Sequence, residues 1–176
     1  DVDAGKPIER FRFEEPLRSA RVLRAPDQEI LVAGGKRSVF VRPLGEDRPP
    51  SPYHFPTGKK PKGGTNSAAV YGDYLFATHS EFGVARWKLS EPGSIATLIC
   101  PEATAGNQTT RGVTVTPEGR LYFASGPSVF SIDLTREPLS PVQHMPQAQG
   151  AVTARALGKA LVCASCGDGQ EGSVVA

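Results

Sequence analysis

Two cysteines three residues apart, Cys163 and Cys166 in "CASC", are the pair in the chain with the spacing of a chemical motif. Thiolates at that spacing make half of a zinc site or a redox pair. A structural zinc needs a second pair, and the remaining cysteine, Cys100, stands alone far upstream. His54, His79 and His144 are isolated from one another, although His79 is followed by Ser80 and Glu81. "TGKKPKGGT" clusters Lys59, Lys60 and Lys62 without the Gly-Lys-Ser/Thr order that cradles phosphate. "CGDGQEG" (166–172) puts Asp168 and Glu171 among glycines, but not at the spacing of a calcium loop. No Gly-x-Ser-x-Gly elbow or His-Glu-x-x-His pair occurs. The expectation is therefore no assigned catalytic residue, no cofactor and no metal.

What must position these groups follows from composition and spacing. Of 176 residues 39% are hydrophobic, and Gly 19 with Pro 16 makes one residue in five a turn former. That calls for frequent chain reversals. Lys+Arg 20 against Asp+Glu 18 leaves a formal charge of +2, too even a balance to predict a nucleic-acid surface. No apolar run approaches the roughly eighteen residues of a membrane span, so no membrane partner is expected. The start, "DVDAGKPIER", lacks the apolar core of a signal peptide, but a chain with its leader removed would read alike, so the compartment stays open.

The strongest signal is a repeat. Val39, Val84, Val129 and Val174 follow one another at 45 residues, and Leu44, Leu89 and Leu134 keep the same interval. Apolar stretches ending in Ala33, Ala77, Ala124 and Ala164 precede them, at intervals of 44, 47 and 40. Aligning on these alanines places Cys163 with Val32, Phe76 and Phe123, which are core positions. In "GRLYFASGPSVFSIDL" (119–134) two short strands flank a Gly-Pro turn. Each unit reads strand, turn, strand, loop, strand, with a weaker fourth strand at 53–55, 95–99 and 142–145.

Four antiparallel strands in about 40–45 residues make the blade of a β-propeller. The predicted class is all-β, about four such blades, with units at 16–56, 66–100, 110–146 and an incomplete one at 150–176. Residues 1–13, with Ile8, Phe11 and Phe13, would supply an outer strand of a preceding or closing blade. A β-sandwich also suits short strands but has no reason to repeat at 45 residues. Three assemblies are open: a piece of a larger propeller, which is preferred, two copies joined as a homodimer, and a four-bladed ring closed by the N-terminal strand.

"VTVTPEGRLYFASGPSVFSIDL" resembles a blade of the WD40-like and YVTN-like propellers. Thr116-Pro117-Glu118-Gly119 looks like their hairpin turn, and Trp87 matches the tryptophan of a Trp-Asp ending. Lys88 stands where that aspartate is expected, while Asp133 holds the aspartate position after Ile132. The resemblance implies propeller blades and no subfamily.

On this architecture the loops carry recognition. The expected function is a non-catalytic module binding a protein partner, or the remaining blades, through Lys59, Lys60, His79, Glu81, Gln108 and Arg111. The alternative is a propeller enzyme, lactonase-like or quinone-dependent, with its site at a central channel. Arg24 and Arg155 follow equivalent inner strands and could hold an anion there, although pairing with acidic neighbours is the preferred role. The inner strands open with Ser19, Ser67, Gly112 and Gly150, small residues that suit close packing and offer little chemistry.

Overall fold

The computed structural model describes residues 11–56, 61–101 and 110–144, together with the backbone of the strands at 151–157, 160–166 and 173–175. Among these the protein is all-β, as the repeat predicts. Sheet 1 comprises β1 (Ser19–Arg24), β2 (Glu29–Gly34), β3 (Ser38–Pro43) and β4 (Ser51–His54). Sheet 2 comprises β5 (Thr65–Tyr71), β6 (Tyr74–His79), β7 (Gly83–Lys88) and β8 (Thr97–Cys100). Sheet 3 comprises β9 (Thr110–Val115), β10 (Arg120–Ser125), β11 (Ser128–Asp133) and β12 (Pro141–His144). Sheet 4 has β13 (Ala151–Leu157), β14 (Ala160–Cys166) and β15 (Ser173–Val175). Every sheet is antiparallel with its strands in chain order. No helix among the described residues is long and apolar enough to cross a membrane.

The valine repeat is a structural one. Val39, Val84, Val129 and Val174 are each the second residue of a third strand. The leucines after those strands are equivalent too: the amide N–H groups of Leu44, Leu89 and Leu134 donate to the carbonyls of Glu29, Asp73 and Gly119 at 2.8–2.9 Å. The alanine alignment is corrected. Opposite the valines stand Gly34, Thr78, Ala124 and Ala164. Cys163 is thus in register with Ala33, Ala77 and Phe123, one residue away from Val32 and Phe76 in the first two units. A slip of one residue exchanges the faces of a strand, so the distinction matters.

The sheets stack by their faces. Ile30, Val32, Val39, Val41 and Tyr53 of sheet 1 share a core with Ala68, Leu75, Ala77, Ala85 and Trp87 of sheet 2. The other face of sheet 2, with Ala69, Phe76, Val84 and Cys100, shares a second core with Val113, Leu121, Phe123 and Ile132 of sheet 3. Burial on both faces explains why Leu75 to His79 reads as an unbroken buried run rather than an alternating one. Each large side chain enclosed this way stabilises the fold by about 1.5–3 kcal/mol.

β1 lies beside β5, β5 beside β9, and β9 beside β13. Small residues let the backbones meet: a Cβ on Gly34 would lie 2.5 Å from Cβ of Thr65. The Ser19 hydroxyl donates to the Thr65 carbonyl at 3.2 Å, and the Ser67 hydroxyl to the Val113 carbonyl at 3.5 Å. Starts of first strands therefore gather at one end, the joining end, which also carries the turns between second and third strands. The turns between first and second strands, and the loops between third and fourth, gather at the opposite end.

The far face of sheet 1 is covered over β3 by the segment before it, while Val22 on β1 stays exposed. Residues 11–18 are not strand. Phe13 packs edge-on against Phe40 with centroids 5.3 Å apart, and Phe11 lies 4.3 Å under the guanidinium of buried Arg42. Arg42 also donates to the carbonyls of Arg48 and Glu46 at 2.9 and 2.7 Å. The free edge of β4 is covered as well, since Ser94 and Ala96 bond the backbone of His54 at 2.9 and 2.8 Å.

Candidate functional site

Of the residues singled out from sequence for partner binding, the described ones, His79, Glu81 and Arg111, lie at the joining end, which is built by a hydrogen-bond network that crosses three sheets. The network starts at the turn between β2 and β3. Its Gly35 carbonyl accepts from both the amide and the hydroxyl of Thr65, at 2.9 and 3.0 Å, so sheet 2 begins fastened to sheet 1. Asn66 then bridges onward, its side-chain amide donating to the Ser80 hydroxyl at 3.2 Å and the Thr110 carbonyl at 2.6 Å. The Ser80 amide donates to the Gly64 carbonyl at 3.1 Å.

His79 sits inside this network. It is 0% exposed, ringed by Phe55 at 4.6 Å and Phe82 at 4.7 Å. Its Nε2 is 2.9 Å from the Lys36 carbonyl and its Nδ1 accepts the Glu81 amide N–H at 3.0 Å. Those partners require a neutral imidazole protonated on Nε2. Burial pushes its pKa down, against the opposing pull of the Lys36 carbonyl. As a partner-binding residue His79 is corrected: it has no surface to offer, and it joins sheets 1 and 2.

The other histidines are also tied to the scaffold. Ser38 Oγ and His54 Nδ1 are hydrogen-bonded at 3.0 Å, and Ser131 Oγ and His144 Nε2 at 2.8 Å.

A second polar centre at this end was not legible in sequence. The Glu15 carboxylate receives the amide N–H groups of Lys36, Arg37 and Ser38 at 2.9–3.1 Å. The β2–β3 turn thus forms a backbone cradle for an anion, and Glu15 occupies it. A Cβ on Gly35 would lie 2.5 Å from Oε1 of that carboxylate, so glycine is what lets it approach.

Around this centre Glu81 is exposed, its Oε1 accepting the Lys62 amide N–H at 2.7 Å. Arg111 is exposed beside Thr110. Lys59, Lys60 and Gln108 lie outside the described residues, as do the side chains of Arg155, Cys163 and Cys166. The backbone places both cysteines on β14, opposite Ala154 and Ala151. Cys100 is buried in the core of sheets 2 and 3.

The opposite end carries an open cleft of about 420 Å³ lined by residues 24–26, 70–72 and 115–117. Its polar side chains are Arg24, Tyr71 and Thr116. Among the described residues Arg24 makes no ion pair, so the acidic pairing expected for it is not seen. Thr116 and Gly119 close the Thr-Pro-Glu-Gly turn by a 3.0 Å backbone hydrogen bond, with Gly119 at φ +83°. At the aspartate position, Asp133 accepts the Thr135 amide and hydroxyl at 3.0 and 2.6 Å; these bonds, foremost, hold its carboxyl below the usual range.

No family model matches the chain, and no curated protein matches it in sequence. Among solved structures, the computationally designed Ika4 protein superposes with a TM-score of 0.59 at 10% identity, over 93% of this chain and 92% of that one. At such identity the likeness is one of fold alone. The α-L-arabinofuranosidase PaAbf62A from Podospora anserina, solved in complex with cellotriose, gives 0.49 at 12% identity over 90% of this chain and 62% of that one. That score is too low to bear on fold or function.

Proposed function

We propose that the four sheets are successive blades of a β-propeller, of the WD40-like or YVTN-like kind, and that the chain is a non-catalytic module recognising another protein through its joining end. The observation that carries this reading is the order β1, β5, β9, β13 of neighbouring first strands, with each sheet stacked on the next. Such an array turns about a common line and presents corresponding loops on one side. Here those loops are fastened by the Gly35–Thr65 and Asn66–Thr110 bonds, which pre-organise them for contact.

Photo-crosslinking side chains placed at Lys62 and Arg111, and as controls at Glu91 and Arg136, test it. The reading predicts one partner protein, competed away by excess unlabelled chain, captured from the first pair. Capture from the second pair alone, or none that competes, overturns it.

The enzyme alternative has one observation in its favour, the cleft beside Arg24, whose guanidinium and the Tyr71 and Thr116 hydroxyls could hold a small anion. Raised thermal stability with a small carboxylate or a carboxylate-bearing quinone, abolished by Arg24→Ala, would favour that second reading.

A further inference from the structure

Charge is divided between the two ends. Of the twelve described Asp and Glu residues, Glu14, Glu15 and Glu81 lie at the joining end and the rest along or at the opposite one. The ion pairs among described residues, Arg48–Glu46, Arg86–Glu137, Lys88–Glu91, Arg120–Asp133 and Arg136–Asp133, all belong to the opposite half. The joining end has Arg18, Lys36, Arg37, Lys62 and Arg111, and among the described residues none of them is in an ion pair.

These cations share one surface. Arg18 packs over Gly64, Lys36 and Arg37 form the turn that receives His79, Lys62 adjoins Glu81, and Arg111 follows the Thr110 bonded by Asn66. In their midst a carboxylate is already held, that of Glu15 on three backbone amides. From this we infer that the joining end docks an acidic segment of a partner protein, whose carboxylates pair with Lys36, Arg37, Lys62 and Arg111.

The inference rests on the recognition reading and gives its partner a chemistry. Peptide carboxylates fit better than a nucleic-acid backbone. A single-stranded nucleic acid would need aromatic faces to stack on, and here Phe55 is buried and stacked on Phe82 at 5.4 Å rather than offered to bases.

The test is anisotropy of a labelled Glu-rich peptide with the full chain, beside a Lys-rich peptide and single-stranded DNA of equal length. Binding of the acidic peptide is expected to weaken with salt. It is also expected to fall about tenfold or more in Arg37→Glu/Lys62→Glu/Arg111→Glu, and measurably in Lys62→Glu alone. Reversal of Lys88 and Arg136 at the other end should change it less than about twofold. Equal affinity for wild type and both reversal variants overturns the inference, and so does tighter binding of the DNA. If the partner is still captured by a crosslinking side chain at exposed Glu81, on the same end, after the triple reversal, the acidic-partner inference fails while the recognition reading stands.

Discussion

His79 and Lys36 join two sheets: the imidazole Nε2–H of one donates to the backbone carbonyl of the other at 2.9 Å, from the end of β6 to the turn before β3. Because Nδ1 must accept the Glu81 amide at the same time, the neutral ring is the one that fits. Protonation would turn an acceptor into a donor facing a donor.

A pH dependence follows. The folded His79 pKa lies below the ordinary 6.5, first because of burial, so the unfolded chain takes up this proton at higher pH than the folded one. Its contribution is complete above about pH 6.5 and declines as pH falls from there through the folded value. Urea midpoints measured from pH 7.5 to 5 should drop more for wild type than for His79→Gln. The variant should be weaker throughout, by about 1–3 kcal/mol, for its lost ring packing. Parallel slopes for the two proteins would refute the assignment.

Glu15 makes an independent prediction. Its carboxylate satisfies three amides, and with Phe11 and Phe13 it fastens residues 11–18 over sheet 1. Glu15→Gln retains one acceptor oxygen and brings an NH₂ group against donors. A loss of about 1–2 kcal/mol is expected, discounted for partial exposure. Limited proteolysis should cut the 11–18 segment faster than wild type, while the tryptophan signal of the sheet 1–sheet 2 core stays native. Unchanged cleavage would mean that the carboxylate does not hold the segment.

Strand content and repeat were legible because they are local. A valine every 45 residues and a Gly-Pro turn at Gly126-Pro127, where Gly126 has φ +55°, are properties of single strands and hairpins. Register was less so. Ala33 and Ala77 look equivalent to Ala124, yet cross-strand pairing matches Ala124 with Gly34 and Thr78. The joining end was hardest. His79 reads as a loop residue because its neighbours Ser80 and Glu81 are polar, and its burial depends on Phe55, Phe82 and Lys36 from elsewhere in the chain. Glu15 reads as one surface carboxylate among others, since its partners are backbone amides over twenty residues away and leave no trace in side-chain pattern.

Trp87 reports on the same junction. It is 2% exposed, its ring edge-on to Phe55 at 5.0 Å, and its indole N–H donates to the His54 carbonyl at 3.0 Å. That carbonyl also accepts the Ala96 amide, so removing the indole does not orphan it. Trp87→Phe should therefore cost only about 1–2 kcal/mol, while Trp87→Ala should cost about 3–5 by opening a cavity. Chemical denaturation followed by circular dichroism measures both. Equal losses would mean that the hydrogen bond rather than the packing dominates.

Two glycines separate backbone strain from crowding. Gly93 has φ +81° and Gly119 has φ +83°, but a Cβ on Gly93 meets nothing within 4 Å. A Cβ on Gly119 would lie 2.6 Å from the Tyr71 hydroxyl oxygen and 2.9 Å from Cγ2 of Thr135. Gly93→Ala should cost about 1 kcal/mol, the price of a left-handed conformation. Gly119→Ala should cost about 2–4, because the Tyr71 ring and Thr135 must shift as well. Tyr71→Phe removes the nearest offending atom, so the double variant should regain part of that loss, a coupling of about 0.5–1 kcal/mol in a double-mutant cycle. Additive losses would show that the Tyr71 hydroxyl is not what Gly119 makes room for.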